Sequence, residues 1–334
     1  MRAVWYEKNG AAREVLQQGT MDDPAPGAGE VRVRMAFSGV NPSDVKRRDG
    51  WSGQKIAYPR VVPNMDGSGV IDRVGSGVSL ARLGQRVWLH STMWKRPFGT
   101  CADYALTFDH RAYTLPDGIS FAMGAGLGVP AMTAHRAVFG MEQVKGKTVL
   151  VTGGAGAVGF YAISLAKWGG ATVLSTVSGA EKAAEAKRAG ADHVINYKSE
   201  NVAERVMALT GGAGIDHIVE VDLGANIATT AAVLKNGGSL ATYASMSTQE
   251  PKIPHYQLMF KNVRFQWVFV YDMPREAMDA AARDTNAWLV SGHAVHPTYH
   301  RFPLTKAADA HIAVEQGATG KVIIEIGGES TGNG

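Results

Sequence analysis

A glycine-rich turn between Val151 and Val158 offers the clearest chemistry in this chain of 334 residues. It follows the apolar, β-branched segment TVLVTGG and opens a segment whose apolar residues recur at helical spacing. In a GxGxxG turn, Gly154 permits the tight bend, Gly156 lets backbone amides approach a phosphate, and Gly159 lets the helix pack on the strand. The start of the helix also attracts anions. The turn predicts a dinucleotide site, with a ligand-free glycine turn as the alternative; its residues are Gly154, Ala155, Gly156, Ala157, Val158 and Gly159.

The next strand, ATVLSTV, indicates which dinucleotide is bound. NAD-specific folds place an acidic residue at the end of this strand, about twenty residues beyond the loop, to bond the ribose 2′-OH. Here Ser175, Ser178 and Lys182 offer hydroxyls and a positive charge, which suit a 2′-phosphate, and Tyr197 would flank the adenine. These residues predict NADPH, although each is also typical of a solvated helix or loop. Glu181 would favour NADH if it reached the ribose.

Composition excludes several classes of function. The formal net charge of +4 arises from 34 basic and 30 acidic residues that are scattered along the chain, so no nucleic-acid partner is expected. The single cysteine, Cys101, cannot build a disulfide framework or a thiolate metal cluster within one chain. No stretch has the length of an apolar membrane span, and the N-terminus has no apolar leader. We expect a cytoplasmic enzyme without a membrane partner.

The pattern of elements changes near Ser120. Before it, short strands are separated by Gly, Pro and Asp, which is typical of a β-rich domain. After it, strands alternate with longer helical segments, which indicates a doubly wound parallel sheet. The sequence predicts a β-rich domain over 1–123 and 273–334, and a dinucleotide-binding domain over 124–272.

These segments resemble one superfamily along nearly the whole chain. VLVTGGAGAVGFYAISLAKWGGATV and KRAGADHVINY resemble the cofactor segment of quinone oxidoreductases, which are medium-chain dehydrogenases/reductases. GSGVIDRVGSGVSLARLGQRVW resembles the GroES-like catalytic domain, and GVNPSDVKRRDG and TGKVIIEI are similar to segments of the zinc-independent, zeta-crystallin-like members. The resemblance implies an α/β protein with a GroES-like β-rich catalytic domain and a Rossmann domain.

The resemblance also implies that no metal takes part. Zinc alcohol dehydrogenases have a Cys where this chain has Asn41, a His-Glu pair where it has Asn64-Met65-Asp66, and a four-cysteine lobe that is absent here. Zinc requires a tetrahedral set of Cys, His or carboxylate ligands, which Asp66 alone cannot supply. We therefore expect a zinc-independent enzyme in which NADPH delivers hydride to an electrophilic acceptor.

Further site residues follow from the resemblance in both domains: Asn41, Asp44, Met65, Thr133, Tyr243 and Ser245. Asn41 is interpreted as an amide donor to the acceptor carbonyl, or alternatively as an Asx turn. Asp44 is interpreted as a helix cap or as a proton shuttle. Thr133 would lie beside the nicotinamide, with Tyr243 and Ser245 on its other side.

Aromatic residues indicate the shape of the acceptor. Trp51 and Trp94, with Tyr58 and Phe98, lie on Gly- and Pro-rich loops, where they form ordinary packing singly and a floor for a flat ring collectively. Lys46 stands where many relatives have Tyr, so no dedicated acid is identified. A quinone needs none, which favours an NADPH:quinone oxidoreductase over an enoyl or alkenal reductase. A non-catalytic NADPH-binding redox sensor is the remaining alternative.

The segment VRFQWVFVY, residues 263–271, is apolar and rich in aromatic and β-branched residues. It predicts an edge strand of the doubly wound sheet, and an apolar edge invites pairing with another chain. Relatives dimerise through such strands, so the resemblance implies a homodimer; burial under a helix of the same chain is the alternative.

Overall fold

The computed structural model describes residues 1–329 and divides into two compact units. One consists of Met1–Val129 and the chain from Tyr299 onward; the other is Pro130–Thr298. The predicted boundary after residue 272 therefore falls inside the second unit. Trp288 explains the difference, because it is fully buried and its ring lies edge-on to Tyr161, with 5.9 Å between the ring centroids.

Short strands dominate the N-terminal part of the first unit, as the sequence predicts. Tight turns connect them, and several of these turns contain glycines with positive φ. The elements are β1 (Arg2–Trp5), α1 (Ala12–Val15), β2 (Gln17–Thr20), β3 (Glu30–Val40), α2 (Pro42–Asp49), β4 (Asp66–Val74), β5 (Arg86–Leu89), β6 (Tyr104–Phe108) and β7 (Ala112–Thr114).

Helix α3 (Phe121–Phe139) leads from the first unit into the second. It is interrupted at Gly128, whose backbone is non-helical, two residues before Pro130 within the helix. A proline inside a helix removes one backbone hydrogen bond and displaces the preceding turn. The division between the units coincides with this interruption.

The second unit contains a parallel sheet of six strands in the order β10-β9-β8-β11-β12-β13. Strands and helices alternate along the chain, so the prediction of a doubly wound domain is confirmed. The elements are β8 (Thr148–Val151), α4 (Ala157–Trp168), β9 (Thr172–Val177), α5 (Ala180–Arg188), β10 (His193–Asn196), α6 (Val202–Leu209), β11 (Ile215–Glu220), α7 (Leu223–Val233), β12 (Leu234–Thr242), α8 (His255–Phe260), β13 (Arg264–Trp267) and α9 (Arg275–Val290).

The predicted edge strand is β13, which lies last in the sheet order. It covers Arg264–Trp267 only, which is shorter than the predicted 263–271. Val268 N–H still donates to the Thr242 carbonyl at 2.8 Å, and beyond this hydrogen bond the chain leaves the sheet.

The chain then returns to the first unit through β14 (Tyr299–Pro303), α10 (Ala307–Glu315) and β15 (Lys321–Glu325). β15 pairs antiparallel with β3 in a seven-stranded sheet of order β14-β15-β3-β4-β5-β7, and β6 also pairs with β3. The closing strand thus places Lys321 next to the end of β3. Within residues 1–329, no helix is both long and apolar enough to cross a membrane.

Candidate active site

The glycine turn lies between the end of β8 and the start of α4. Gly153 has φ of +66°, a left-handed conformation that favours glycine. A Cβ on Gly154 would lie 2.0 Å from Ser175 Oγ, and one on Gly159 would lie 2.3 Å from the Gly153 carbonyl oxygen. Gly154 and Gly159 are therefore required by the packing of the turn itself.

Gly156 differs from the other glycines of the turn. It caps α4 with an extended backbone (φ −74°, ψ 160°) that any residue adopts, and a Cβ there would meet nothing closer than the Gly153 oxygen at 3.5 Å. The protein therefore has no packing reason for glycine at this position. A bare backbone at the start of a twelve-residue helix suits a phosphate, which the first N–H groups of the helix can bind. The residues present fit the pyrophosphate of a dinucleotide.

The end of β9 supports the turn more than it offers free hydroxyls. Ser175 is fully buried and donates to the Val151 carbonyl at 3.0 Å. Thr176 Oγ1 accepts from Gly153 N–H at 3.2 Å, and its carbonyl accepts from Gly154 N–H at 3.1 Å. The structure therefore gives the Ser175 hydroxyl a role different from the predicted contact with a 2′-phosphate. The hydroxyl holds β9 against β8.

The remaining cofactor candidates follow the carboxyl ends of β9 and β10, which are neighbours in the sheet. Ser178 and Lys182 are partly exposed, and Tyr197 is 52% exposed. Because adjacent parallel strands end on the same edge, these three side chains and the glycine turn belong to one edge of the sheet. This arrangement leaves them accessible to a ligand held by the turn.

A buried carboxylate that the sequence reading missed closes this edge. Glu220 ends β11 and is fully buried; its Oε1 accepts from Thr152 Oγ1 at 2.9 Å, from Asp222 N–H at 2.7 Å and from Asn226 Nδ2 at 2.8 Å. Burial raises the pKa of Glu220, and these donors oppose the shift. Glu220 thus joins the turn after β8 to the start of α7. The sequence did contain a signal for Glu220, because it is the single acidic residue in the strand segment HIVEV.

Tyr243 and Ser245 follow β12 on the same edge. Burial raises the pKa of the Tyr243 phenol, and Glu220 adds to the increase. Ser245 Oγ accepts from Gly224 N–H at 3.1 Å and donates to the Thr248 carbonyl. Ser245 therefore fixes the loop after β12, and Thr133, buried on α3, also belongs to this unit.

The first unit brings three predicted residues together with two others in a buried polar cluster. Asn41 Nδ2 donates to Asp66 Oδ2 at 2.7 Å, and Asn41 Oδ1 accepts from Lys321 Nζ at 2.6 Å. Asp44 Oδ2 accepts from Asn41 N–H at 2.8 Å, and its Oδ1 accepts from Met65 N–H at 3.1 Å. The five residues are each at most 2% exposed, which gives Asn41 and Asp44 well-defined structural roles.

Lys321 and Asp66 supply the opposite charges of this cluster, with Nζ and Oδ2 3.8 Å apart. Burial lowers the pKa of Lys321 and raises that of Asp66, while the attraction between them opposes both shifts. Asp66 Oδ2 also accepts from Val129 N–H at 2.8 Å, and a Cβ on Gly128 would lie 2.1 Å from Asp66 Oδ1. The interruption of α3 at Gly128 thus makes room for the carboxylate.

Asp44 is the second buried acid of the cluster. Burial, followed by the negative charge of Asp66, raises its pKa to about 7. Asp44 is the third residue of α2 and forms a capping box with the N-cap residue Asn41, in agreement with the capping interpretation.

Trp51 and Trp94 lie on two loops of the first unit, and each is covered by a cation. Lys46 Nζ is 5.0 Å from the Trp51 ring centroid, and Arg47 Cζ is 5.6 Å from that of Trp94. Trp51 is 41% exposed, whereas Met65, the third predicted substrate residue, is 1% exposed inside the buried cluster. Trp51 is therefore far more exposed to solvent than Met65.

Comparisons with known proteins agree with this arrangement of two domains. The family model described as Alcohol dehydrogenase GroES-like domain matches residues 27–144, and the one described as Zinc-binding dehydrogenase matches residues 157–285. The chain is 32% identical to the Quinone oxidoreductase of Homo sapiens over 327 residues, which covers 97% of each chain. It is also 32% identical over 224 residues, 66% of each chain, to the 2-haloacrylate reductase of Burkholderia sp. Among solved structures, mycobacterial Rv1454c complexed with NADPH has a TM-score of 0.85 and 28% identity, covering 98% of this chain and 100% of that one.

A zinc ion does not fit the cluster around Asp66. The cluster contributes an amide, a thioether and carboxylates, not the Cys and His ligands that zinc prefers. Asp66 Oδ2 is engaged by Asn41 and Val129, and the ammonium of Lys321 would repel a second cation. Within residues 1–329, no group of three or more His, Cys, Asp or Glu side chains could hold a metal ion.

Replacing Lys321 by methionine should lower the free energy of unfolding by about 3–5 kcal/mol, because it leaves the Asp66 carboxylate buried without its counter-ion. Urea denaturation at neutral pH measures this change. Adding Asp66→Asn to Lys321→Met should recover part of the loss.

Lys235→Met is the matched control, since Lys235 forms a partly exposed ion pair with Asp216 at 2.9 Å. Such a pair contributes about 1 kcal/mol or less. An equal effect of the two lysine substitutions would contradict the role assigned to the buried ammonium.

Proposed function

The chain belongs to the quinone oxidoreductase family of the medium-chain dehydrogenases/reductases, and we propose that it is an NADPH-dependent, zinc-independent reductase that delivers hydride to a quinone. The observation that carries the proposal is the open backbone at Gly156, at the carboxyl edge of the parallel sheet. Ligands of doubly wound sheets bind at this edge. Full-length similarity to quinone oxidoreductases supports the choice of acceptor.

The phosphorylated cofactor suits the residues beyond β9. This strand ends at Val177 without an acidic residue to bond a ribose 2′-OH, and Ser178 and Lys182 follow it. A hydroxyl and an ammonium favour a 2′-phosphate, and Tyr197 offers an exposed ring for the adenine. The NADPH complex of Rv1454c supports the same assignment.

Bound NADPH supplies the hydride, and the protein supplies position and electrostatics. Glu220 and Thr152 hold the turn that binds the pyrophosphate, and Thr133 is our candidate beside the nicotinamide. Asn41 and Asp44 act as positioning residues within the buried cluster of the first unit. A quinone takes its final proton from solvent, so a dedicated acid is unnecessary.

Reduction of an alkene conjugated to a carbonyl is the second candidate function. It uses the same cofactor and the same delivery of hydride, and the similarity to 2-haloacrylate reductase favours it. Turnover measurements with quinones and with conjugated alkenes are therefore needed to identify the acceptor.

A homodimer is part of the proposal. Strand β13 leaves one row of backbone N–H and C=O groups at the edge of the sheet, and Trp267 and Phe269 are 66% and 55% exposed. Tyr256 and Phe260 on α8, in the same stretch of chain, are 68% and 72% exposed. An exposed edge with apolar neighbours is stabilised by pairing with another copy.

The substitution Gly156→Val should raise the Kd for NADPH at least about tenfold, equivalent to about 1.4 kcal/mol, because its side chain would occupy the place of the pyrophosphate. The melting temperature of the free protein should fall less than in a variant that fills the packed position of Gly154, since a Cβ at Gly156 meets nothing closer than 3.5 Å. Fluorescence titration and thermal unfolding give the two readouts.

Gly154→Ala is the contrasting variant, because its Cβ would meet Ser175 Oγ at 2.0 Å and should lower the melting temperature. An unaltered Kd in Gly156→Val would place the pyrophosphate elsewhere.

Turnover of NADPH by chelator-treated protein should be faster with 1,4-benzoquinone and phenanthrenequinone than with acrolein and crotonyl-CoA. NADH should be oxidised more slowly, since it carries no 2′-phosphate for Lys182 to bind. The absorbance of the reduced cofactor measures each rate. Preference for the alkenes would assign the second function, cofactor binding without turnover would identify a redox sensor, and dependence on added zinc would refute the zinc-independent proposal.

The substitution Trp267→Lys should convert the dimer to a monomer, because it places a charge on the edge strand, and light scattering measures the mass. Leu80→Lys is the control: Leu80 is 73% exposed in the first unit, and its replacement should leave the dimer intact. A wild-type protein with the mass of a monomer would refute the proposed homodimer.

A further inference from the structure

A cavity of about 310 Å³ lies at the end of α4 in the second unit, and we call it the α4 cavity. Its lining residues are Phe139, Gln143, Trp168, Gly169 and Asp284. The volume falls at the lower end of the range of small-molecule sites, about 300–1,000 Å³. The α4 cavity therefore has room for a compact ligand.

The α4 cavity is separate from the glycine turn. Helix α4 begins at Ala157 beside the turn and ends at Trp168, which lines the cavity. Its twelve residues span about 18 Å. Because a crossover helix runs back along the sheet, α4 begins at the carboxyl edge and ends at the amino edge. The cavity therefore lies away from the residues that we assign to NADPH.

Two aromatic rings form a corner of the α4 cavity. The ring centroids of Phe139 and Trp168 are 6.5 Å apart, and the ring planes meet at 81°. A Cβ on Gly169 would lie 2.8 Å from Phe139 Cε1, so the bare backbone of Gly169 leaves room for this ring. Trp168 is 36% exposed, which makes part of its indole accessible. Aromatic faces of this kind attract cations that lie within about 6 Å of the ring centroid.

The Asp284 carboxylate supplies negative charge beside the rings. Its Oδ2 lies 2.9 Å from His135 Nε2, and because a carboxylate can only accept, Nε2 is the donor. Burial lowers the pKa of His135 by more than the contact with Asp284 raises it, so the imidazole is neutral at neutral pH. A neutral donor orients the carboxylate and leaves its negative charge in place.

An exposed arginine lies near the same carboxylate. Arg283 Nε is 3.6 Å from Asp284 Oδ1, and the Arg283 side chain is 71% exposed. An ion pair with this separation and exposure contributes about 1 kcal/mol or less. Arg283 is therefore a weak competitor that a cation bound in the α4 cavity can displace.

We propose that the α4 cavity binds a small organic cation, such as a quaternary ammonium compound. The rings of Phe139 and Trp168 contact its methyl groups, and Asp284 supplies the opposite charge. An inorganic cation would need several oxygen ligands, which aromatic walls do not supply. This site is independent of the reductase site, so the inference stands whichever acceptor the enzyme reduces.

Calorimetric titration of the full chain with choline and with 3,3-dimethyl-1-butanol tests the proposal. The two compounds share one shape, and the alcohol has a carbon atom where choline has its charged nitrogen. Choline should bind, and the alcohol should bind at least about tenfold more weakly, equivalent to about 1.4 kcal/mol. Absence of choline binding, or equal binding of the two compounds, would overturn the proposal.

Substitutions in the cavity wall locate the bound cation. Asp284→Asn should raise the Kd for choline about tenfold. Trp168→Leu should also raise it, and by more than Trp168→Phe, which keeps an aromatic ring. Asp279→Asn is the matched control, since Asp279 lies on the same helix, α9, and forms an exposed ion pair with Arg275 at 2.8 Å. Equal losses of affinity in the two Asn variants would refute the role of Asp284.

Arg283→Gln provides a test in which binding becomes tighter. Removal of the competing guanidinium should lower the Kd for choline about threefold, whereas damage to the fold would raise it. The Kd for NADPH should stay unchanged in this variant and in Asp284→Asn, because the glycine turn lies at the other end of α4. An unchanged or higher Kd for choline in Arg283→Gln would contradict the placement of the cation beside Asp284.

Discussion

The structure of the second unit depends on one constraint: parallel strands in register all end on the same edge of their sheet. The turn after β8, the hydroxyls of β9, the carboxylate of Glu220 and the loop after β12 meet there for this reason. Glu220 is the central contact, because it accepts hydrogen bonds from both the turn and the start of α7. These hydrogen bonds hold the turn after β8 against the start of α7.

In the first unit, the main feature is a cluster of buried charged side chains. This cluster buries an ammonium and two carboxylates, which is costly unless each charge has partners. Lys321 and Asp66 bind opposite ends of the Asn41 amide, and Asp44 accepts two backbone N–H groups. The cluster thereby joins α2, the start of β4 and the closing strand β15.

The sequence by itself determined the periodicity of the doubly wound sheet, the glycine turn and the edge position of β13, because these depend on local residue types and spacing. It did not determine that Ser175 would be committed to Val151, that Glu220 would close the edge, or that α9 would join the second unit through Trp288. Only the tertiary structure decided these points. Lys321 shows the reason, since it lies 280 residues from Asn41 in the chain yet 2.6 Å away in space, and the pairing of β15 with β3, not any local pattern, brings the two together.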